Sequence, residues 1–316
     1  MKNILHFILF LVFLATPGMA QIRPITIEPD GGNRKASISE QIGIVNIAIS
    51  YSRPGVKGRE GKIWNTPVAH YGFADQGHGT STAAPWRAGA NENTTMSFSH
   101  PVKIEGKDLP AGTYGFFISL GEEESTLIFS KISTSWGSFY YDPAEDALRV
   151  SVKNQTLDSS VEWLKYEFIE QREKYCVIAL QWEYLSFPFR VDVDVDNIVI
   201  AKLRDEVTSQ KGFNQLNLIA AANYCLNKNI NLEEALAWTQ RASGLKAFGT
   251  LSTLSNAYTK NNKLQQADSA MNEALIFANP NQYLNVGRAM ITAKRLDRAL
   301  EIFNANQEKK WRCICG

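Results

Sequence analysis

The stretch Leu109-Pro-Ala-Gly-Thr-Tyr-Gly-Phe-Phe-Ile-Ser-Leu120 decides how the first half of this chain is built. A Pro-Ala-Gly turn opens onto Tyr114, Phe116, Ile118 and Leu120, so every second residue is apolar. Period two sets one side of a strand on a core and the other toward water. The alternation recurs at Val45, Ile47, Ile49 and Tyr51, at Leu148, Val150 and Val152, and at Leu164, Tyr166 and Phe168. Glu105-Gly-Lys107, Leu120-Gly-Glu122 and Tyr141-Asp-Pro143 punctuate these runs as turns. Many short antiparallel strands at this spacing predict a β-sandwich or jelly-roll-like domain over residues 37–196.

Outward toward the C-terminus, the period changes to that of a helix past Asn197, and proline is absent until Pro280. Residues 197–212 read as a linker or connecting helix. Beyond them Ala235, Ala267 and Ala299 recur at a constant 32-residue interval. Ahead of each lies a helix with a small residue, Ala222, Ser255 or Gly287. Residues 213–310 therefore resemble tetratricopeptide-like helix pairs, and the chain is expected to be α+β and multidomain, a β domain followed by a short α-solenoid. Asn223, Asn256 and Arg288 follow the small residues and are the expected partner-binding ladder. Residues 311–316 read as an irregular tail. An array lacking an amphipathic cap points to a truncated end or to completion by another chain.

Outward toward the N-terminus, Lys2, the apolar run Ile4 to Leu14 and Gly18-Met-Ala20 make residues 1–20 a signal peptide cleaved before Gln21. Residues 21–36 read as a flexible segment. The protein is expected to be exported, periplasmic or secreted, without a stable membrane span after cleavage. A net charge of +1 argues against a nucleic-acid partner. Four cysteines do not define a disulfide framework.

The motifs Tyr51-Ser-Arg-Pro-Gly-Val-Lys-Gly-Arg59, Trp86-Arg-Ala-Gly-Ala-Asn-Glu92, Leu109-Pro-Ala-Gly-Thr-Tyr114 and Trp136-Gly-Ser-Phe-Tyr-Tyr141 together resemble a bacterial family, the domain of unknown function 2911. The resemblance implies a β domain and an exported setting, and no reaction. It departs at one place. The family passes from a Val-Pro-Tyr-Gly-like segment to its Trp-Arg within a few residues, whereas here Val68-Ala-His-Tyr-Gly72 is followed by an insert from Phe73 to Pro85.

No Gly-x-Ser-x-Gly elbow is present, and Gly55 to Lys62 lacks the glycine spacing and the hydroxyl residue of a phosphate loop. His70, His78 and His100 show no ligand spacing. Asp192, Asp194 and Asp196 start like a calcium loop, but Asn197 and Leu203 occupy the places of its glycine and glutamate. In a strand these aspartates share one exposed face. No metal and no cofactor is expected. The candidate ligand-binding residues are Arg53, Lys57, Arg59, Trp86, Arg87, Asn91 and Glu92. In that reading Arg53 or Arg59 holds an anion, Trp86 stacks a ring, and Asn91 with Glu92 orients polar groups. The structural alternative has Glu92 paired with an arginine, Asn91 in a turn and Trp86 in the core. A non-enzymatic binding or scaffold protein is the leading expectation. The competing one is an envelope hydrolase or carbohydrate-active enzyme, with Glu92 as acid and His70 as helper at the Arg53, Arg87 and Glu92 loops.

Overall fold

The computed structural model describes residues 32–315. The leader expected over residues 1–20 lies outside them. The strands β1 (Arg34–Ile42), β2 (Val45–Arg53), β3 (Thr94–Phe98), β6 (Gly112–Ser119), β7 (Glu124–Ser130) and β8 (Asp146–Lys153) form a six-stranded sheet in the order β1-β2-β3-β6-β7-β8. The strands β4 (Val102–Ile104), β5 (Lys107–Leu109), β9 (Gln155–Gln171) and β10 (Tyr175–Asp192) form a four-stranded sheet in the order β5-β4-β10-β9. Every pairing between these strands is antiparallel.

The period-two residues explain why these strands lie where they do. Ile47, Ile49, Met96, Phe116 and Phe129 of the first sheet share one core with Tyr166, Ile178, Trp182, Phe187 and Phe189 of the second. Phe116 meets Phe189 with ring centroids 6.0 Å apart and Tyr166 at 6.1 Å. Burying each such ring contributes about 1.5–3 kcal/mol. β6 departs from alternation, since Tyr114 to Ile118 are all buried. The loop of residues 131–142 folds over its outer face, and Phe117, Ile128 and Tyr141 make a small second cluster there.

The helices are α1 (Val195–Thr208), α2 (Gln215–Lys228), α3 (Leu232–Ala242), α4 (Phe248–Lys260), α5 (Leu264–Ile276), α6 (Pro280–Thr292) and α7 (Leu296–Cys315). α2 packs on α3, α4 on α5 and α6 on α7. Ala235, Ala267 and Ala299 sit at equivalent places in the second helix of each pair, all buried. Ala222, Ser255 and Gly287 are their buried counterparts in the first helices. Residues 197–212 are mostly the helix α1. Among the described residues no helix is long and apolar enough to cross a membrane.

Three local expectations are corrected. β1 begins at Arg34, so the last residues of the expected flexible segment already pair with β2. Asp192, Asp194 and Asp196 do not line one strand face. Asp192 ends β10, Asp194 caps α1 by accepting the Asn197 amide, and Asp196 lies in the first turn. A carboxylate satisfies the free amides of a helix start, and this outweighs the β-branched valines between the aspartates. Residues 311–315, read as an irregular tail, continue the helix α7.

Asp196 joins the two parts of the chain. Lys174 in the β9–β10 turn reaches it at 2.6 Å, Lys228 of α2 at 2.9 Å, and the Tyr224 hydroxyl donates to it at 3.0 Å. These contacts hold its carboxyl down at about 2, Lys174 first and Lys228 second.

Candidate functional site

β2 and β3 are adjacent in the sheet, yet residues 54–93 intervene between them with no regular element of their own. Structureless connections of that length are uncommon in compact domains and are usually functional. This one is clipped down by isolated bridges, Gly55 to Trp163, Tyr71 to Leu120, Ala74 to Ala84 and Trp86 to Ile118. The insert 73–85 is thereby ordered against its neighbours. The Thr80 and Ser81 amides both donate to Phe139 O at 3.0 Å, bringing in the second long loop, residues 131–142.

Between the two loops lies Arg87. Nη1 donates to Asn91 O at 3.2 Å and Nη2 to Gln76 Oε1 at 3.2 Å. Its guanidinium carbon stands 4.6 Å from the centre of the Phe139 ring. Gly137 lies beside the guanidinium with a φ of 60°, and an added Cβ would lie 2.5 Å from Cζ. An alanine there would meet a left-handed backbone and would have to push the guanidinium aside. Half-buried Arg87 has its pKa lowered by desolvation.

The Gln76 amide continues the network, with Nε2 3.1 Å from Ser138 Oγ and 3.2 Å from His70 Nε2. If that amide donates, the ring proton sits on Nδ1, which is buried beside the Tyr71 backbone. Burial and the nearby Arg87 charge hold His70 below its ordinary value, opposed by a backbone group at Tyr71.

On the other side of the same segment, Glu92 pairs with Lys35 at 2.9 Å and accepts from the Ser52 hydroxyl at 3.1 Å. Its carboxyl is held low, by Lys35 first. These groups border a pocket of about 170 Å³ lined also by Asn93, Thr95 and Ser135. The Asn93 amide and the Ser135 hydroxyl lie 2.9 Å apart, a further tie between the loops. Phe73, Trp136 and Tyr140 in the two loops are exposed at 43%, 54% and 50%. All three lie in the two loops that touch.

The other sequence-picked residues are placed as follows. Arg53 Nε donates to Leu164 O at 2.8 Å, tying β2 to β9. Arg59 folds back on its own loop, donating to Val56 O at 3.0 Å and Gly55 O at 2.7 Å. Lys57 lies 5.8 Å from the Trp163 ring centre. Trp86 is buried, stacked on Trp182 at 6.2 Å and edge-on to Trp64 at 5.7 Å. Asn91 sits at φ 58°, and its side-chain oxygen accepts from Asn33 at 3.3 Å. The fold thus gathers Arg87, Asn91 and Glu92 on one segment, while Arg53 and Lys57 reach β9 and Arg59 braces its own loop. Glu92 takes a lysine as its partner, where the structural alternative expected an arginine. Asn223 is half-buried on α2, and Asn256 and Arg288 are exposed on α4 and α6.

His70 was weighed from sequence as a metal ligand and as a helper to Glu92, Ser138 appeared only inside the Trp136–Tyr141 motif, and Gln76 only inside the insert. Their residue types are common, and the contact that joins Gln76 to Ser138 crosses 62 positions. Glu183 also escaped notice. It is buried at φ 51° between two register shifts of β10 and accepts the Gly61 amide. Strict alternation after Trp182 would turn it to water, so a bulge hides it from sequence. Among the described residues no group of His, Cys, Asp and Glu is placed to hold a metal ion.

A family model described as "Protein of unknown function (DUF2911)" matches residues 33–191, half of the chain. No curated protein and no solved structure matches.

Proposed function

The chain belongs to the DUF2911 family, and we propose that this member is an exported binding protein whose ligand docks where the two long loops of its β domain meet. In this reading the two sheets make a sandwich, the paired helices make a short tetratricopeptide-like scaffold, and Asn223, Asn256 and Arg288 face a protein partner. Export rests on the leader sequence alone. The observation that carries the binding role is the loop junction itself: polar groups held by a rigid sheet, with exposed aromatic rings in both loops. Loops set on a rigid scaffold are where binding residues concentrate.

The state of Glu92 favours binding over hydrolysis. A general acid at neutral pH needs a raised carboxyl pKa. Glu92 is lowered by Lys35, so its proton is gone where such an acid must hold one. Its ion pair would have to break before it could act.

The test is a thermal-stability screen of the purified chain against sugars, peptides and organic acids, with mass spectrometry of each hit after incubation. Stabilisation without conversion is expected. Conversion of a hit that disappears in Glu92→Gln would establish the hydrolase instead.

A further inference from the structure

Charges withdrawn from water are paired as a rule, because an uncompensated one loses hydration and gains nothing. Half-buried Arg295 and the exposed Arg149 and Arg204 follow that rule, whereas half-buried Arg53 and Arg59 donate to main-chain carbonyls instead. Arg149 reaches Asp146 at 2.5 Å, Arg204 reaches Glu234 at 2.7 Å, and Arg295 grips Asp268 through both nitrogens at 2.8 and 2.6 Å. Arg87 does not. Its acceptors are the neutral oxygens of Asn91 and Gln76, and no carboxylate lies within ion-pair distance of it among the described residues.

We propose that Arg87 is the anchor of an oxyanion site, taking a carboxylate or phosphate group of a ligand that enters between residues 70–92 and 131–142. The proposal rests on the reading of that junction as the binding face. Four features favour an anion. A guanidinium has five N–H groups in a fixed fork, and the contacts above use two of its nitrogens once each. Phe139 and Gly137 hold the fork on one side by cation–π contact and close packing, so it is oriented before a ligand arrives. His70, joined to Arg87 through the Gln76 side chain, keeps its buried Nδ1 beside the Tyr71 backbone and adds a second nitrogen-bearing side chain to the site. The carboxylate of the neighbouring segment, Glu92, is already engaged by Lys35 and Ser52 and does not compete.

The experiment uses the full chain and follows thermal unfolding during titration with potassium phosphate, potassium acetate or potassium chloride at matched ionic strength. A saturable rise in Tm with phosphate or acetate, absent with chloride, is expected. The stronger arm tells a phosphoryl ligand from a carboxylate one. Gln76→Glu places a carboxylate 3.2 Å from Nη2. It should raise Tm without added anion and abolish the response. In the unmutated protein, the His70 imidazole should titrate at higher pH when the anion is bound, since the Arg87 charge that depresses it is then offset; NMR reads this without a variant. No saturable response beyond chloride, or an unchanged response in Gln76→Glu, overturns the proposal. Hits in the wider screen without any anion response defeat this inference and leave the binding reading standing. Silence in both defeats both.

Discussion

Gly137→Ala puts the seating of Arg87 to a quantitative test. The residue lies at φ 60°, and its missing side chain leaves room for the guanidinium, whose Cζ would sit 2.5 Å from an added Cβ. Two costs follow. Holding a non-glycine residue in the left-handed region costs about 1–2 kcal/mol. Displacing the guanidinium loses the bonds to Asn91 O and Gln76 Oε1, about 1 kcal/mol together when water partly replaces them. It also loses the Phe139 cation–π contact, about 0.5–1 kcal/mol at a half-exposed site. The total is roughly 3 kcal/mol. Gly58→Ala is the matched control, since φ there is 71° and nothing lies within 4 Å of an added Cβ. It should cost only the backbone share, about 1–2 kcal/mol. Urea unfolding followed by tryptophan fluorescence measures both, because Trp64, Trp86 and Trp182 contact one another in the β-domain core. A difference between the variants of about 1.5–2 kcal/mol is expected. Equal losses within about 0.5 kcal/mol would refute the idea that Gly137 exists to admit the arginine.

Gly287→Ala should loosen α6 from α7, because an added Cβ would lie 2.5 Å from Cζ of Phe303. The loss is about 1–3 kcal/mol, visible as a lower helical melting transition with the β-domain transition unmoved. Asp196 should make the join between β domain and helices acid-labile. Its folded pKa of about 2 lies below the ordinary 3.8, so its contribution is complete above pH 3.8 and disappears as pH falls through about 2. With solvent screening this amounts to about 1 kcal/mol, and Asp196→Asn should flatten the stability profile across that window. Cys176 is buried, with its thiol pushed up to about 12 by desolvation. Thiol-reagent labelling at pH 8 with peptide mapping should find it unmodified until the β domain unfolds, and rapid native modification would contradict the packing described.

The strands were legible because their inward residues obey period two. Val45, Ile47 and Ile49 are fully buried, as are Phe116 and Ile118. Period two also places Phe117 on the far face, but it cannot say that residues 131–142 fold back to cover it, since that depends on contacts distant in sequence. The 32-residue spacing of Ala235, Ala267 and Ala299 located the helix pairs, because close helix approach needs a small residue at the same place each time. The aspartates after Asp192 misled because a strand face and a capped helix start share the same residue types, and only the backbone separates them. Arg87, Asn91 and Glu92 could be picked from composition and turn chemistry. Their partners could not, since Lys35 and Ser52 reach Glu92 from β1 and β2, Asn33 reaches Asn91, and Gln76 reaches Arg87 from within the insert. Trp86 was read as a possible stacking surface, but in the fold its ring meets Trp64 and Trp182 inside the core.

Amide chemical-shift mapping of the isotopically labelled chain, titrated with phosphate or with the best compound of the stability screen, tests the central claim most directly. The account predicts that the perturbed amides cluster at residues 70–92 and 131–142, Gly137 and Asn91 among them, with α2 to α7 silent. Shifts confined to the helices, or scattered over the sheet while both loops stay unmoved, would contradict it.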